Sequence, residues 1–163
     1  MGLAEFLAGF RELHEKARHG QLDAAARGEY DGARDELASA LMQAQKESPG
    51  PGQRPRTALK VPKALQVDLG LPGERVLATT VELSARGFAV LLADAPKQGS
   101  TVKCSLRLSS TDSIMCEAVV VDTRRQPHNK RVTFALSGVQ PGDSERLELL
   151  VFDEVLAKLA PPR

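Results

Sequence analysis

The stretch Glu82-Leu83-Ser84-Ala85-Arg86-Gly87, which runs directly into Phe88-Ala89-Val90-Leu91-Leu92, decides the fold class of this chain. Residues 75–83 and 88–92 are both rich in β-branched and apolar side chains, and the four residues 84–87 between them have turn character. Two such runs with a short connection predict an antiparallel β-hairpin.

Four further short runs surround this hairpin and alternate between apolar and polar residues. They are residues 66–69 before it and residues 102–108, 114–121 and 131–136 after it, separated by turn-forming segments. Six short strands at regular spacing are typical of a β-sandwich or a small barrel, and closure is favoured because it removes exposed sheet edges. Residues 141–144, Pro-Gly-Asp-Ser, then end the sheet and cap a last helix.

That last helix has more apolar residues than one stripe can hold. They are Leu147, Leu149, Leu150, Val151, Phe152, Val155, Leu156 and Leu159. We expect the excess to pack against the N-terminal segment or against a second subunit.

The first 47 residues have the period of helices. Apolar residues from Leu3 to Ala17 recur at helical spacing, Gly20 is placed to end that helix, and Asp23 is placed to cap a second one. Gly28 and Gly32 inside the second helix either let the first helix approach closely or only weaken the helix. The predicted division is therefore a helical hairpin at 1–47, a Pro/Gly linker at 48–53 and a β-domain with its C-terminal helix at 54–163.

Composition excludes several classes of function. The chain of 163 residues has a formal net charge of +1, 4% aromatic residues and no tryptophan, which disfavours a nucleic-acid-binding protein. Arg124, Arg125, Lys130 and Arg131 form a basic cluster that could meet phosphates, but a solvated loop explains it equally well, and we expect neither DNA nor RNA as a partner. No signal peptide and no membrane-spanning run are recognised, so a cytoplasmic protein is expected.

The sequence predicts no enzyme, no metal site and no cofactor. It has no G-x-S-x-G motif, and its histidines are His14, His19 and His128, of which the first two have the wrong spacing to share a helix face. Cys104 and Cys116 lack C-x-x-C spacing and are expected to pack as small apolar residues, reduced in the cytoplasm. If they lie opposite each other across a hairpin, the connection needs an odd number of residues, for example 109–111.

Two features remain, and each is unremarkable alone. One is a basic run before the first strand, with Arg54, Arg56, Lys60 and Lys63, and the other is the turn at 82–87. A basic run is usually a solvated segment, and a turn containing serine and glycine is usually only a turn.

Together and in this order, the two features resemble the motifs of the PilZ family, bacterial receptor domains for cyclic di-GMP. That family has R-x-x-x-R before the first strand, here Arg56-Thr57-Ala58-Leu59-Lys60, and [D/N]-x-S-x-x-G between the second and third strands, here Glu82 to Gly87. Residues 132–134 resemble the last barrel strand, and the helix from Asp143 resembles the family's C-terminal helix. The resemblance covers residues 54 to 160 and implies a six-stranded antiparallel β-barrel with a C-terminal α-helix.

The resemblance also implies which residues bind the dinucleotide. They are Arg54, Arg56, Lys60, Glu82, Ser84 and Gly87. Arginine binds phosphate or the O6 and N7 of guanine with two hydrogen bonds and stacks on the guanine plane, and a carboxylate accepts from the guanine edge. Ser84 would add a hydrogen bond, and Gly87 would permit the turn and a close approach of the backbone to the ligand.

Two motif positions depart from the family pattern. Lys60 stands where the second arginine is expected, and Glu82 stands where aspartate or asparagine is expected. Loss of one charge-assisted, bidentate interaction costs about 1.5–3 kcal/mol.

Two functions therefore stay open. One is a cyclic di-GMP receptor that acts as an adaptor in control of motility or surface polysaccharide. The other is a degenerate PilZ protein that binds no nucleotide and serves as an adaptor in motility or polarity. With either function, we expect the chain to interact with an unidentified protein partner or to self-associate through its helices.

Overall fold

The protein is described here from a computed structural model that covers residues 2–49 and 51–159. The chain divides into two compact units. We call Met1–Leu59 with Glu148–Arg163 the helical unit and Lys60–Leu147 the barrel unit. The domain division at residues 48–53 stays a prediction from composition.

The barrel unit is a closed antiparallel β-barrel, which confirms the predicted fold class. Its strands are β1 (Gln66–Leu71), β2 (Glu74–Ser84), β3 (Gly87–Leu92), β4 (Thr101–Ser109), β5 (Asp112–Arg125) and β6 (Lys130–Ser137). The order around the barrel is β1-β2-β3-β6-β5-β4, and pairing of β1 with β4 closes it. Closure leaves no long unpaired edge, as expected for a small barrel.

Strand alternation fills the barrel interior. Val67 and Leu69 of β1 are buried, while Gln66 is exposed and Asp68 is half-buried. Phe88 on β3 is paired with Phe134 on β6, and the centroids of their rings lie 5.3 Å apart. Period-two patterning therefore sets which face of each strand forms the core.

The two cysteines lie opposite each other on β4 and β5, with their sulfur atoms 3.4 Å apart. A hydrogen bond from the Cys104 thiol lowers the pKa of Cys116, and the same bond together with burial raises the pKa of Cys104. The expected three-residue connection at 109–111 is wrong. Ser109 pairs with Asp112 across a two-residue turn, and a register shift between Arg107 and Ser109 supplies the odd residue as a β-bulge.

The helical unit contains a helix pair whose ends follow the sequence signals. Helix α1 covers Leu3–Arg18 and α2 covers Ala24–Ala44. Gly20 has a φ of 65°, and the Oδ1 atom of Asp23 accepts a hydrogen bond of 2.7 Å from the Ala26 N–H at the start of α2. None of the helices in the described residues is both long and apolar enough to cross a membrane.

Two more helices complete the fold. The short α3 (Pro55–Ala58) was not predicted; Pro55 at its first position suits a helix start because its missing N–H would have no partner there. The C-terminal α4 covers Pro141–Lys158, and its residues from Glu148 onward belong to the helical unit.

An aromatic cluster forms the core of the helical unit. Phe10 of α1 lies 5.6 Å from Tyr30 of α2 and 5.7 Å from Phe152 of α4, measured between ring centroids. The contact of Phe152 with α1 confirms that apolar residues of the last helix meet the N-terminal hairpin. The close-approach interpretation of Gly28 and Gly32 is wrong, because a Cβ atom built at either position has nothing within 4 Å.

Candidate functional site

The residues that the sequence predicts to bind a ligand are divided between the two units. Arg54 and Arg56 lie at the start of α3 in the helical unit. Lys60, Glu82, Ser84 and Gly87 lie in the barrel unit. Each group has its own local environment.

Arg56 is held by carboxylates of its own unit. Its Nη1 atom donates a hydrogen bond of 2.8 Å to Oδ2 of Asp35, and its backbone N–H donates to Oδ1 of the same carboxylate at 3.2 Å. Its Nε atom also lies 3.4 Å from Oε1 of Glu148. Because the Arg56 side chain is only 18% exposed, these pairs are partly shielded from solvent and are stronger than surface pairs.

Glu148 also holds a second, fully buried arginine. Nη1 of Arg34 lies 3.0 Å from Oε1 of Glu148, and Nη2 donates a hydrogen bond of 2.7 Å to the hydroxyl of Tyr30. The Arg34 guanidinium also lies 4.0 Å from the centre of the Tyr30 ring, in cation–π geometry. Oε1 of Glu148 therefore contacts two arginines, Arg34 and Arg56.

The same polar network continues to α1. The Tyr30 hydroxyl is hydrogen-bonded to Nδ1 of His14, and Nε2 of His14 lies 2.6 Å from Oδ1 of Asp153 on α4. His14 is buried, and both of its ring nitrogens have partners, so it has a structural role.

Two other cations of the basic segment, Arg54 and Lys60, are exposed. The Arg54 side chain is 67% exposed, and its Nη1 atom lies 3.8 Å from Asp35. Lys60 is exposed between buried Leu59 and Val61, which anchor the chain on each side of it. Both side chains are accessible to an anion.

Glu82, the acid of the second motif, lies on β2 and is paired with a cation. Its Oε2 atom lies 3.3 Å from Nη2 of Arg131 on β6, and each side chain is about 30% exposed, at 31% and 29% respectively. The carboxylate is therefore accessible but partly engaged.

Ser84 and Gly87 shape the turn between β2 and β3. The Ser84 hydroxyl donates to the carbonyl of Gly87 at 3.4 Å and accepts from the Arg86 N–H at 3.2 Å. Gly87 is required by its neighbour in the sheet, because a Cβ atom there would overlap the Phe134 carbonyl oxygen and lie 3.2 Å from the Cα of Ala135. The close approach that glycine permits in this fold is thus to β6.

Two residues that hold the motif arginine, Asp35 and Glu148, were missed from the sequence, and so was Arg34, which also contacts Glu148. One signal was present for Arg34, since Tyr30 lies four residues earlier, on the same face of the predicted helix. No local pattern links Asp35 to Arg56, because the Pro/Gly segment separates them.

The side chains of the candidate residues are chemically suited to binding an anion. The six candidate residues supply three cations, one carboxylate and one hydroxyl, and the described partners of the Ser84 hydroxyl are the Gly87 carbonyl and the Arg86 N–H. Guanidinium groups and a lysine amine are suited to phosphate oxygens and to base edges. The fold places the barrel unit in the class of small closed β-barrel domains.

The comparison with protein families specifies that class. The model of the PilZ domain matches residues 53–153, and the chain belongs to the PilZ family. Domains of this family are generally non-enzymatic binding or adaptor domains.

Solved structures agree with this assignment. The chain is similar to the inhibitor of motility MotI/DgrA from Bacillus subtilis, with 26% identity and a TM-score of 0.56 over 61% of this chain and 50% of that one. It is also similar in fold to YcgR in complex with c-di-GMP from Escherichia coli, with 16% identity and a TM-score of 0.52 over 62% of this chain and 45% of that one.

A third similar structure is the MrkH–c-di-GMP complex of K. pneumonia, with 15% identity and a TM-score of 0.53 over 61% of this chain and 52% of that one. The chain thus spans about half the length of each of these proteins, where the covered shares are 50%, 45% and 52%. No curated protein sequence matches it.

Proposed function

We propose that this chain is a cytoplasmic signalling adaptor that binds cyclic di-GMP and acts through protein–protein contacts, not as an enzyme. The ligand residues in this proposal are Arg54, Arg56, Lys60, Glu82, Ser84 and Gly87. The name of one structural neighbour, an inhibitor of motility, supports control of motility as the process, and the names of two others, in complex with c-di-GMP, support the ligand.

The observation that carries this proposal is the environment of Arg56. Its guanidinium and its backbone N–H both donate hydrogen bonds to the carboxylate of Asp35, and the carboxylate of Glu148 lies close to its Nε atom. A phosphate presents oxygen acceptors of the same kind, so a group already oriented toward carboxylate oxygens is suited to exchange them for phosphate oxygens.

Titration of the full chain with cyclic di-GMP by calorimetry tests the proposal. We expect binding in the native protein and its loss in Arg56→Ala, with an effect of about 10- to 100-fold or more, because a charge-assisted bidentate interaction contributes about 1.5–3 kcal/mol. Arg107→Ala, at an exposed position of β4, is the matched control and should bind like the native protein.

Two further results keep this test decisive. Arg56→Lys retains the charge without the planar fork, so it should fold like the native protein and still bind much more weakly. Unchanged affinity in Arg56→Ala, with an unchanged thermal melting curve, would remove Arg56 from the site.

The second candidate function is that of a PilZ adaptor that does not bind the nucleotide. It is favoured by the ion pair between Glu82 and Arg131 and by Lys60 at the second motif position, since both weaken the recognition of guanine and phosphate. No heat and no thermal stabilisation at millimolar cyclic di-GMP would favour this candidate, and its partners would then be captured equally with and without the dinucleotide.

Asp35→Asn is expected to raise the affinity for cyclic di-GMP about 3- to 10-fold. The substitution removes the negative charge with which a phosphate must compete for Arg56, and the change corresponds to about 1 kcal/mol. Asp31→Asn, one turn earlier on α2 and paired with Arg27, is the matched control and should leave the affinity unchanged. A lower affinity in Asp35→Asn would mean that Asp35 orients Arg56 for the ligand.

A further inference from the structure

An apolar groove with a volume of about 1000 Å³ runs between α1 and α2. Phe10 and Leu37 form its buried floor, and Phe6, Leu13 and Ala33 form half-buried walls. At one end, Leu3 is 72% exposed, although it is a large apolar residue. None of these side chains belongs to the two ligand-binding motifs.

The lining of the groove contains two glycines with open space beside them. Gly9 of α1 and Gly32 of α2 both line it, and a Cβ atom built at either position has nothing within 4 Å. Small residues at such positions let a third helix approach two others closely, at the interaxial distances of about 8–10 Å found in helix bundles. The shape suits a helix laid along the pair.

The rim of the groove is acidic. Glu5 and Glu12 of α1 and Glu29 and Glu36 of α2 are all exposed along it, whereas Lys16 is the only cation in the described lining. Lys16 lies 3.8 Å from Glu12, so that pair is locally balanced. The rim therefore has four carboxylates against one amine, in a chain whose formal net charge is +1.

We propose that this groove binds an amphipathic α-helix of a partner protein, with leucine-like residues on its apolar face and lysine or arginine on its flanks. Apolar anchors would cover Phe6, Leu13 and Leu3, and the basic flanks would meet the acidic rim. A second copy of this chain fits less well, because a symmetric pair through the groove would bring the two acidic rims together. The inference rests on the adaptor part of the proposed function and does not require that the chain bind the nucleotide.

The test uses the full chain without dinucleotide and a fluorescein-labelled peptide of 18 residues as the probe. The peptide has leucine on one helical face and lysine on the other, and its matched control has glutamate in place of lysine. We expect anisotropy to show that the lysine peptide binds at least tenfold more tightly, and that added salt weakens it.

Two tryptophan variants locate the binding. Gly32→Trp fills the groove, whereas Gly28→Trp, also on α2 with open space beside it and outside the lining, is the matched control. We expect Gly32→Trp to lose the lysine peptide by tenfold or more and Gly28→Trp to retain it. The chain has no tryptophan of its own, so the fluorescence of each variant also reports whether the peptide touches that position.

Reversal of the rim charge gives an independent result. The double variant Glu29→Lys and Glu36→Lys should prefer the glutamate peptide. Equal binding of both peptides, or full binding by Gly32→Trp, would overturn the proposal. A dimer of the native chain in light scattering that Gly32→Trp dissociates would also overturn it and make a second copy the occupant. Titration of Gly32→Trp with cyclic di-GMP separates failure of the groove from failure of the nucleotide site.

Discussion

Glu148→Ala is expected to lower the free energy of unfolding of the helical unit by about 3–5 kcal/mol, the cost of removing one partner of a buried ion pair. Glu148 is 7% exposed and Arg34 is fully buried at 0% exposure. Without the carboxylate, the buried guanidinium of Arg34 would lose its contact with Oε1 of Glu148, and Arg56 would lose one of its two acidic neighbours. Breaking this pair is therefore much more costly than deleting a surface charge.

Urea unfolding followed by circular dichroism at 222 nm measures this loss. Glu12→Ala, whose side chain is 74% exposed in a surface pair with Lys16, is the control and should change stability by about 0.5 kcal/mol or less. Glu148→Gln keeps hydrogen-bond acceptance without the charge and should be intermediate. A loss below about 1 kcal/mol in Glu148→Ala would show that water or Asp35 neutralises the two arginines.

Gly87→Ala is expected to destabilise the barrel unit by about 3 kcal/mol or more, at the upper end of the range for overpacked sites. The added methyl group would overlap the Phe134 carbonyl oxygen, so the backbone of β3 or β6 would have to move. Backbone atoms in a closed barrel have little freedom to shift, because neighbouring strands are paired on both sides.

Gly70→Ala on β1 is the matched control for this substitution. A Cβ atom there would lie 3.6 Å from the Lys103 carbonyl oxygen, an ordinary contact. Both variants make the same change from glycine to alanine, so a comparison of their thermal melting curves isolates the steric effect. If Gly87→Ala melts like Gly70→Ala, strand β6 yields easily, and the glycine would instead serve the ligand.

Period-two patterning was sufficient to predict short strands of a sandwich or a small barrel, and the resemblance to the PilZ family implied the barrel. The alternation in residues such as Val67 and Leu69 depends only on local geometry, and so does the cap at Asp23. The pairing register of two strands depends less on local geometry. The pairing of Cys104 with Cys116 was considered correctly, but the bulge at residue 108 that makes it possible has no signature in the sequence.

The partners of Arg56 were beyond sequence reasoning for a different reason. Asp35 is 21 residues away across a Pro/Gly segment, and Glu148 is in a helix at the other end of the chain. Charged residues on amphipathic helices are mostly solvated, so a buried Arg34 contradicts the usual expectation and is revealed only by tertiary packing. The motif positions were recognised, whereas their protein-side competitors were not.

The sharing of Arg56 between Asp35 on α2 and Glu148 on α4 has a thermodynamic consequence. If the dinucleotide draws Arg56 away, its binding energy includes the cost of leaving both carboxylates without that cation. Coupling between two sites is reciprocal. A helix that docks on the hairpin and tightens α2 against α4 would weaken the dinucleotide by some factor, and the dinucleotide would weaken the docked helix by the same factor. The two ligands would then be antagonists, and rising cyclic di-GMP would release the partner.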